Sequence, residues 1–294
     1  MDENDRQLLR DIVRRLDRQE SLVAEIRKLV GPSGIAFPDG SLLVQTIHGT
    51  KYFIDPTDLV MAPQLVVYRQ WESDVSGFIL NSVNENSVFM DVGANFGYVT
   101  CLAGSRIGRQ GSGCVIAVEP NPRMLALLKK NIYINWSMAP IEVHECAATA
   151  ETGYVTLVVP DAHAANASVL RKGDKTAREN SVIVNASTID AISAGRKVDV
   201  LKIDVEGHEA AVLKGAKETI GRSKGISIVM EWSLNQIKSA GFSADDVLAE
   251  VKALGLRFFE LSTGGATGKP GDVGAEVPLA AIRERPYANV VLRR

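Results

Sequence analysis

The chain has 294 residues, 46% of them hydrophobic and 23% charged, and its formal net charge is −2. This composition is that of a globular protein with a substantial core, and the charge gives no global field that would attract nucleic acid. No apolar run approaches the roughly 20 residues of a membrane span, and the N-terminus lacks the apolar segment of a signal peptide. Three cysteines without a CxxC motif favour a reducing environment, so we expect a cytoplasmic protein.

The first predicted element is a helix over residues 2–30, which contain neither Pro nor Gly. Apolar residues recur along it at spacings of three and four, with Gln19 in the one missing position; they are Leu9, Ile12, Leu16, Val23, Ile26 and Val30. Such a heptad pattern is typical of a coiled coil, and one polar layer can fix its register. We therefore expect residues 1–30 to form a homo-oligomerisation segment. The alternative interpretation is an amphipathic helix packed on its own domain.

A small segment over residues 31–75 is expected between this helix and the main domain. Gly31-Pro32-Ser33-Gly34 ends the helix. The runs LLVQTI and KYFID flank His48-Gly49-Thr50 and predict a β-hairpin. A helical lead-in over residues 64–83 follows.

From residue 76 to residue 294 predicted strands and helices alternate, which is typical of a mostly parallel sheet with helices on both faces. Seven strands are predicted: SVFMDV, CVIAVE, IEVHECA, VDVLKIDV, GISIVMEW, LRFFELS and ANVVLRR. The third is expected to be extended by a hairpin through GYVTLVV, and HEAAVLKGAKETI predicts one helix. The last strand follows a long loop with no predicted helix, so we expect it to be antiparallel and near an edge.

The first of these strands ends in a D-x-G-x-x-x-G motif, formed by Asp91, Gly93 and Gly97 with Asn95 between the glycines. Ligands of parallel α/β sheets bind at the carboxyl ends of the strands, and glycines there let the backbone approach a ligand. The motif is not the dinucleotide fingerprint G-x-G-x-x-G, because Asn95 and Tyr98 stand where glycines are needed. An acid at the strand end would repel a pyrophosphate but suits the ammonium group of S-adenosylmethionine.

The second strand ends in Glu119, 28 residues after Asp91. A carboxylate at this position can accept hydrogen bonds from both hydroxyls of a ribose. Asn121 follows as the predicted N-cap of the next helix, with Pro122 in its first turn. The two strand ends together predict a nucleoside-binding site, with Asn121 as a further candidate residue of it.

Ionisable residues are dense at the end of the fourth strand. Lys202 and Asp204 lie on one face of a strand that should be nearly all apolar, and Glu206, His208 and Glu209 follow around a glycine. A structural interpretation exists for most of them, since the glutamates favour a helix N-terminus and the lysine can pair with Asp204. It leaves His208 unexplained, and charge on a central strand costs several kcal/mol unless it is paired or used. We therefore interpret the cluster as a candidate catalytic site.

The segments DVGANFGYVT, AVEPNP and KIDVEGHEAAVLKGA together resemble the FkbM family of S-adenosylmethionine-dependent methyltransferases. The similarity extends from about residue 40, through Trp71-Glu72, to the C-terminus, and KIDVEGHE is its most specific part. The resemblance implies an enzyme with the class I methyltransferase fold, a Rossmann-like, seven-stranded mixed sheet, and we expect a cytoplasmic, bacterial protein. It implies methyl transfer to a hydroxyl of a sugar, in a glycolipid or polysaccharide, or of a polyketide. It places the cofactor motif on Asp91, Gly93, Asn95, Gly97 and Glu119, and the family signature on Asp204, Glu206 and His208.

Methyl transfer to a hydroxyl needs an aligned acceptor and a way to remove its proton. In the implied fold the fourth strand ends nearest the methyl group, and His208 is the natural base by its ordinary pKa. The candidate catalytic residues are therefore Asp204, Glu206, His208 and Lys202. Alternatively, Asp204 and Glu231, at neighbouring strand ends, could hold Mg²⁺ and lower the pKa of the hydroxyl. With two visible ligands, the metal ranks below the base.

Residues 160–180 form a long polar insertion, and such loops are usually functional lids or disordered. Its basic residues could meet an anionic part of the acceptor, although such a run is more often solvated surface; they are Arg171, Lys172, Lys175 and Arg178.

Two other functions share part of the pattern. A nicotinamide-dependent oxidoreductase would have the same sheet and Glu119, but it would not need the KIDVEGHE segment. A non-catalytic scaffold that dimerises through the N-terminal helix would not need the ionisable cluster. Methylation of nucleic-acid bases is disfavoured by the absence of an N-P-P-[YFW] motif and by the net charge.

Overall fold

The structure is a computed structural model, and it describes residues 7, 12–16, 18–19, 22, 34–159, 167–169, 181–265 and 268–294. The described residues between 7 and 22 are helical, and the side chains of Ile12 and Leu16 are exposed. The other apolar positions of the predicted seam, Leu9, Val23, Ile26 and Val30, lie outside the described residues. Assembly through this helix therefore stays a prediction. No helix in the described part of the chain is long and apolar enough to cross a membrane.

The predicted hairpin is present as part of a small antiparallel sheet. Its strands are β1 (Ile35–Ala36), β2 (Leu42–Gln45) and β3 (Lys51–Ile54). The predicted helical lead-in is two helices, α1 (Met61–Val67) and α2 (Ser73–Ser82). Between them Glu72 adopts a left-handed backbone with φ 41°, which breaks the helical path. This break turns the chain back toward the main sheet.

The main sheet has eight strands rather than the seven predicted. They are β4 (Val88–Val92), β5 (Cys114–Val118), β6 (Ile141–His144), β11 (Val200–Ile203), β12 (Ser227–Ser233), β13 (Arg257–Leu261), β14 (Val273–Val277) and β15 (Tyr287–Arg293). Their order is β14-β13-β15-β12-β11-β4-β5-β6. The five strands from β6 to β12 are parallel, whereas β15 runs antiparallel between β12 and β13, as predicted for the last strand. Strand β14, paired antiparallel with β13, is the additional edge strand.

The predicted extension of IEVHECA by a hairpin is wrong. Strand β6 ends at His144, and the following residues enter a separate four-stranded sheet of order β7-β10-β8-β9. Its strands are β7 (Ala147–Ala148), β8 (Gly153–Val158), β9 (Ser168–Val169) and β10 (Ser181–Ser187). Strand β8 pairs with β10 because Leu157 and Val184 bury their side chains in a small core of this sheet. A sheet-to-sheet switch of this kind leaves no local signal in the sequence.

Helices cover both faces of the main sheet. They are α3 (Tyr98–Ile107), α4 (Pro122–Ile134), α5 (Ile189–Ser193), α6 (Glu209–Lys214), α7 (Lys217–Arg222), α8 (Leu234–Ala240), α9 (Ala244–Ala253) and α10 (Leu279–Arg283). Alternate residues of β4 enter different cores: Phe89 packs in one and Met90 in the other. This two-sided burial explains the continuous apolar runs of the parallel strands. The predicted helix HEAAVLKGAKETI is divided into α6 and α7 at Gly215, where a Cβ would lie 2.2 Å from the Thr149 carbonyl oxygen.

Candidate active site

The turn after β4 requires its glycines. Gly93 has φ 79°, and a Cβ there would lie 1.8 Å from the carbonyl oxygen of Asp204, so the turn lies directly against the end of β11. Gly97, at φ 91°, precedes α3, and a Cβ would lie 2.5 Å from the Leu128 side chain of α4. Asn95, between them, also has a left-handed backbone, with φ 53°. The motif therefore forms a tight turn at the carboxyl edge of the sheet, where a Cβ on either glycine would collide with neighbouring atoms.

Glu119 holds this turn and the start of α4 together. Its Oε2 accepts a hydrogen bond from the Asn95 backbone at 2.7 Å, and its Oε1 accepts one from the Asn121 backbone at 2.8 Å. Burial raises the pKa of Glu119 to about 7. Each carboxylate oxygen has a second lone pair, so the group can still accept hydrogen bonds from a ligand. The Asn121 side chain accepts from the Arg123 backbone at 3.0 Å and is the N-cap of α4, as predicted.

Lys202 connects the two predicted motifs. Its Nζ donates to the Gly93 carbonyl oxygen at 2.8 Å, and it lies 3.1 Å from Asp204 Oδ2 and 3.6 Å from Asp91 Oδ1. Burial disfavours the ammonium charge, but the carboxylates of Asp204 and Asp91 raise the pKa of Lys202 above its ordinary value. These contacts agree with the structural alternative named in the sequence analysis, in which Lys202 is the internal ion-pair partner of Asp204. Asp91 itself is fully buried and accepts a hydrogen bond from Thr100 Oγ1 at 2.6 Å.

The signature turn after β11 is held by Glu209. Its Oε1 accepts a hydrogen bond from the Gly207 backbone at 3.1 Å, and burial raises its pKa to about 7. A Cβ on Gly207 would lie 2.2 Å from the Gln236 carbonyl oxygen, so the turn packs tightly on α8. Glu206 has φ 54°, and its Oε2 accepts from Gln236 Nε2 at 2.5 Å. Burial, and then the Asp204 charge, raises the pKa of Glu206 to about 7.

His208 is the N-cap residue of α6, and its side chain is 8% exposed. Its ring makes an edge-to-face contact with Phe242, with centroids 5.6 Å apart. Burial lowers the pKa of His208 below its ordinary value, so the imidazole is neutral at pH 7. Its Nδ1 has no hydrogen-bond partner among the described residues. A neutral, buried imidazole of this kind can accept a proton.

Two further acids lie beside Asp204. Glu231 is in β12, whose Met230 pairs with Ile203 of β11, so Glu231 and Asp204 are neighbours at the strand ends. Burial, and then the Asp204 and Glu206 carboxylates, raise the pKa of Glu231 to about 9. Glu72 has a pKa raised to about 8, by burial and then by Asp204. The residue patterns gave no functional role to Glu72, whose only signal was its place in the segment that resembles the family.

The structure offers no further support for a magnesium site. Within the described residues, no group of three His, Cys, Asp or Glu side chains is arranged to hold a metal ion. Asp204 and Glu231 stay a pair of acids. Asp204 lies close enough to raise the pKa of Glu231, but among the described residues the two acids do not belong to a set of three or more possible metal ligands.

One pocket brings the cofactor motif and the signature together. It encloses about 610 Å³, part of it open to solvent. Its lining consists of Val92, Gly93, Asn95, Val118, Glu119, Pro120, Ala147, Ala148, Leu157, Ala167, Val169, Asp204, Val205, Glu206 and His208. Asp91 and Lys202 are buried behind the pocket lining. Lys202 contacts two residues that line the pocket, Gly93 and Asp204.

The small second sheet contributes an apolar side to this pocket. Leu157 of β8 and Val169 of β9 line it, together with Ala167. Ala167 and Val169 belong to the insertion over residues 160–180, so this insertion borders the pocket. Its predicted basic residues, Arg171, Lys172, Lys175 and Arg178, lie outside the described residues.

Comparisons with known proteins indicate methyl transfer. A family model described as the methyltransferase FkbM domain matches residues 91–258, which is more than half of the chain and includes both motifs. The hexuronic acid methyltransferase AglP of Haloferax volcanii is 28% identical over 148 residues, and this match covers 49% of the chain and 56% of that protein.

Solved methyltransferase structures resemble the chain at low sequence identity. A precorrin-6y C5,15-methyltransferase from Geobacter metallireducens has a TM-score of 0.40 and 12% identity, covering 75% of this chain and 85% of that one. A Pyrococcus abyssi tRNA (uracil-54, C5)-methyltransferase in complex with S-adenosyl-L-homocysteine has a TM-score of 0.44 and 13% identity. That match covers 86% of this chain and 44% of the other.

Proposed function

The chain belongs to the FkbM methyltransferase family, and on this basis we propose that it is an O-methyltransferase that uses S-adenosylmethionine. The acceptor we propose is a hydroxyl of a sugar, in a glycolipid or polysaccharide, or of a polyketide or other natural product. The observation that carries the proposal is the single pocket lined by Gly93 and Glu119 on one side and by Asp204 and His208 on the other. Donor and acceptor can meet only where both sets of residues face the same space.

The residues of the first motif fit a nucleoside with an amino-acid tail. Gly93, Asn95 and Glu119 line the pocket, and a carboxylate such as that of Glu119 suits ribose hydroxyls. Gly97 lets α3 begin close behind this turn, and Asn121 fixes the start of α4. Asp91 acts through Lys202, which holds the Gly93 carbonyl. When bound, S-adenosylmethionine would supply an activated methyl group on its sulfonium.

The residues of the signature fit the acceptor side of the reaction. The acceptor oxygen forms the new carbon–oxygen bond while the carbon–sulfur bond breaks, and the hydroxyl proton passes to a base. We propose His208 as that base, because its imidazole is neutral at pH 7 and His208 lines the pocket. Asp204 and Glu206 line the pocket beside it and would orient the acceptor. Lys202 would position Asp204 and would not touch the substrate.

A turnover assay tests this function. The purified chain is incubated with S-adenosylmethionine and a panel of hydroxylated sugars, glycolipids and polyketides, and the release of S-adenosylhomocysteine is measured. Acceptor-dependent release, with a methylated product of the expected mass, would support the proposal. A product that carries the new methyl group on nitrogen or carbon would contradict O-methyl transfer. Binding without turnover on any acceptor would favour the non-catalytic scaffold.

A further inference from the structure

A glutamine behind the pocket holds one of the carboxylates that line it. Glu206 lines the pocket, and its Oε2 accepts a hydrogen bond at 2.5 Å from Nε2 of Gln236, in the first turn of α8. Gln236 lies behind the pocket lining, so it can act on a ligand only through Glu206. A neutral amide fixes the direction of a carboxylate without cancelling its charge, whereas a lysine or arginine partner would do both.

The backbone that carries Gln236 is itself anchored. Ser233 is the N-cap of α8, and its side chain accepts a hydrogen bond from the Gln236 backbone. The Leu234 backbone donates to the Pro286 carbonyl oxygen at 3.0 Å, which ties the start of α8 to the residue before β15. The next residue, Ile237, is buried in the main core. The Gln236 amide therefore reaches Glu206 from a fixed turn.

The same segment contacts the two residues that follow Glu206. The Gln236 carbonyl oxygen lies against Gly207, where a Cβ would be only 2.2 Å from it. Phe242, which follows α8, makes the edge-to-face contact with the His208 ring. Residues 236–242 therefore contact three consecutive residues of the signature turn. Because Glu206 and His208 line the pocket, this segment sets the position of both groups.

The Gln236 amide is not arranged for stability alone. Its Oε1 is buried and has no hydrogen-bond partner among the described residues. A buried oxygen without a donor costs free energy, and an apolar side chain of the same shape would avoid that cost. The end of the amide that is satisfied is the one that donates to Glu206. This combination indicates a contact kept for the site rather than for the core.

We infer that Gln236 is a positioning residue of the acceptor site, and that it directs the Glu206 carboxylate toward a hydroxyl of the acceptor. This inference rests on the proposed function. With Oε2 held by Gln236, the carboxylate has already lost much of its rotational freedom. Its remaining lone pairs can then accept a hydrogen bond from an acceptor hydroxyl at little further ordering cost, which aligns the acceptor for transfer.

Gln236→Met tests this role, because methionine matches glutamine in length and lacks the amide. The values of kcat and KM for the acceptor are measured by release of S-adenosylhomocysteine. We expect kcat/KM to fall by at least about tenfold, the scale of one lost hydrogen bond to a charged group. The affinity for S-adenosylhomocysteine and the midpoint of urea denaturation should stay near those of the wild type. Asn235→Met is the control, because it changes an exposed amide one residue earlier in α8, and it should leave all of these values unchanged.

A double-mutant cycle separates positioning from a merely structural role. If Gln236 acts through Glu206, adding Gln236→Met to Glu206→Ala should not lower kcat/KM further. Additive losses in the double variant would overturn the inference, and so would an unchanged kcat/KM in Gln236→Met. Should Gln236→Met not fold, Gln236→Asn takes its place with the same expected outcomes, because it keeps the amide but is one methylene too short to hold Glu206.

If no acceptor is methylated, the proposed function fails by itself. The hydroxylated acceptors are then titrated as ligands of the S-adenosylhomocysteine-bound protein. Weaker binding to Gln236→Met than to the wild type supports the positioning of Glu206. Equal binding to the two proteins, or binding to neither, overturns it.

Discussion

The buried Lys202 and the half-buried Asp204 form an ion pair, with Nζ 3.1 Å from Oδ2, at the end of the strand that carries the family signature. The same ammonium holds the Gly93 carbonyl oxygen at 2.8 Å. One side chain therefore sets the distance between the glycine turn, where we propose the donor binds, and the acid that faces the acceptor. This relationship explains why a strand buried on both faces keeps a lysine.

Replacing Lys202 should destabilise the fold. Lys202→Met keeps the length of the side chain but leaves the fully buried Asp91 and the half-buried Asp204 without their cation, which should lower the free energy of unfolding by about 3–5 kcal/mol. Urea denaturation measures the change. Lys129→Met is the control, because it breaks an exposed pair with Glu145 and should cost less than about 1 kcal/mol. Equal effects of the two substitutions would show that the buried pair has no special role.

His208 should be required for turnover and not for donor binding. His208→Ala should reduce kcat by at least about a hundredfold, the scale of a lost general base, while the affinity for S-adenosylhomocysteine stays near that of the wild type. Because burial lowers the pKa of His208, the acid limb of the wild-type pH–rate profile should lie below pH 6.5. His144→Ala, which alters a histidine at the end of β6, serves as the control. Loss of activity with EDTA and recovery with Mg²⁺, at unchanged His208→Ala activity, would replace the base by a metal.

The raised pKa values of Glu72 and Glu231 should make the fold less stable at high pH. The pKa of Glu231 is raised from 4.5 to about 9 and that of Glu72 from 4.5 to about 8, so the folded state binds more protons than the unfolded state between these values. The free energy of unfolding should therefore fall as the pH rises from about 5 to 9. Glu231→Gln should weaken this dependence and be more stable than the wild type at pH 8.5, by at least about 1 kcal/mol. Urea denaturation at pH 5.5 and 8.5 tests this, with Glu85→Gln, at an exposed acid near the amino end of β4, expected to parallel the wild type; a Glu231→Gln curve that also parallels it would refute the prediction.

The N-terminal helix should mediate assembly. Ile12 and Leu16 of the predicted seam are 44% and 53% exposed, and each large side chain buried in a coiled coil contributes about 1.5–3 kcal/mol. We expect the full chain to be at least a dimer by light scattering. Deletion of residues 1–30 should reduce the oligomer and leave donor binding intact. A monomeric full-length chain, with aggregation after the deletion, would instead indicate a helix that packs on its own domain.

Much of the fold follows from local sequence signals. Asn121 was predicted from cap chemistry, and it caps α4 by accepting a backbone hydrogen bond within the first turn. The strand ends at Asp91 and Glu119 were predicted from apolar runs that end in an acid. These features depend on residues within a few positions of each other, which is why the sequence alone predicts them.

What the sequence did not predict depends on distant contacts. Strand β8 was assigned to the wrong partner because the strand it joins, β10, comes after a long insertion. Glu72 received no role because it reaches the site by a turn between two helices rather than at a strand end. The contacts of Lys202 with Gly93 and Asp91 were not predicted, because distances between separate strands cannot be read from sequence spacing.

Titration of S-adenosylhomocysteine tests the central claim that the pocket beside Glu119 binds the methyl donor. Calorimetry should show binding to the wild type and no binding of NAD. Glu119→Gln should weaken the affinity by about 1–3 kcal/mol, because Glu119 both faces the pocket and fixes the Asn95 turn. Glu145→Gln, at a nearby exposed acid paired with Lys129, should not change it. Binding of NAD without S-adenosylhomocysteine, or equal affinity in the wild type and Glu119→Gln, would contradict the account.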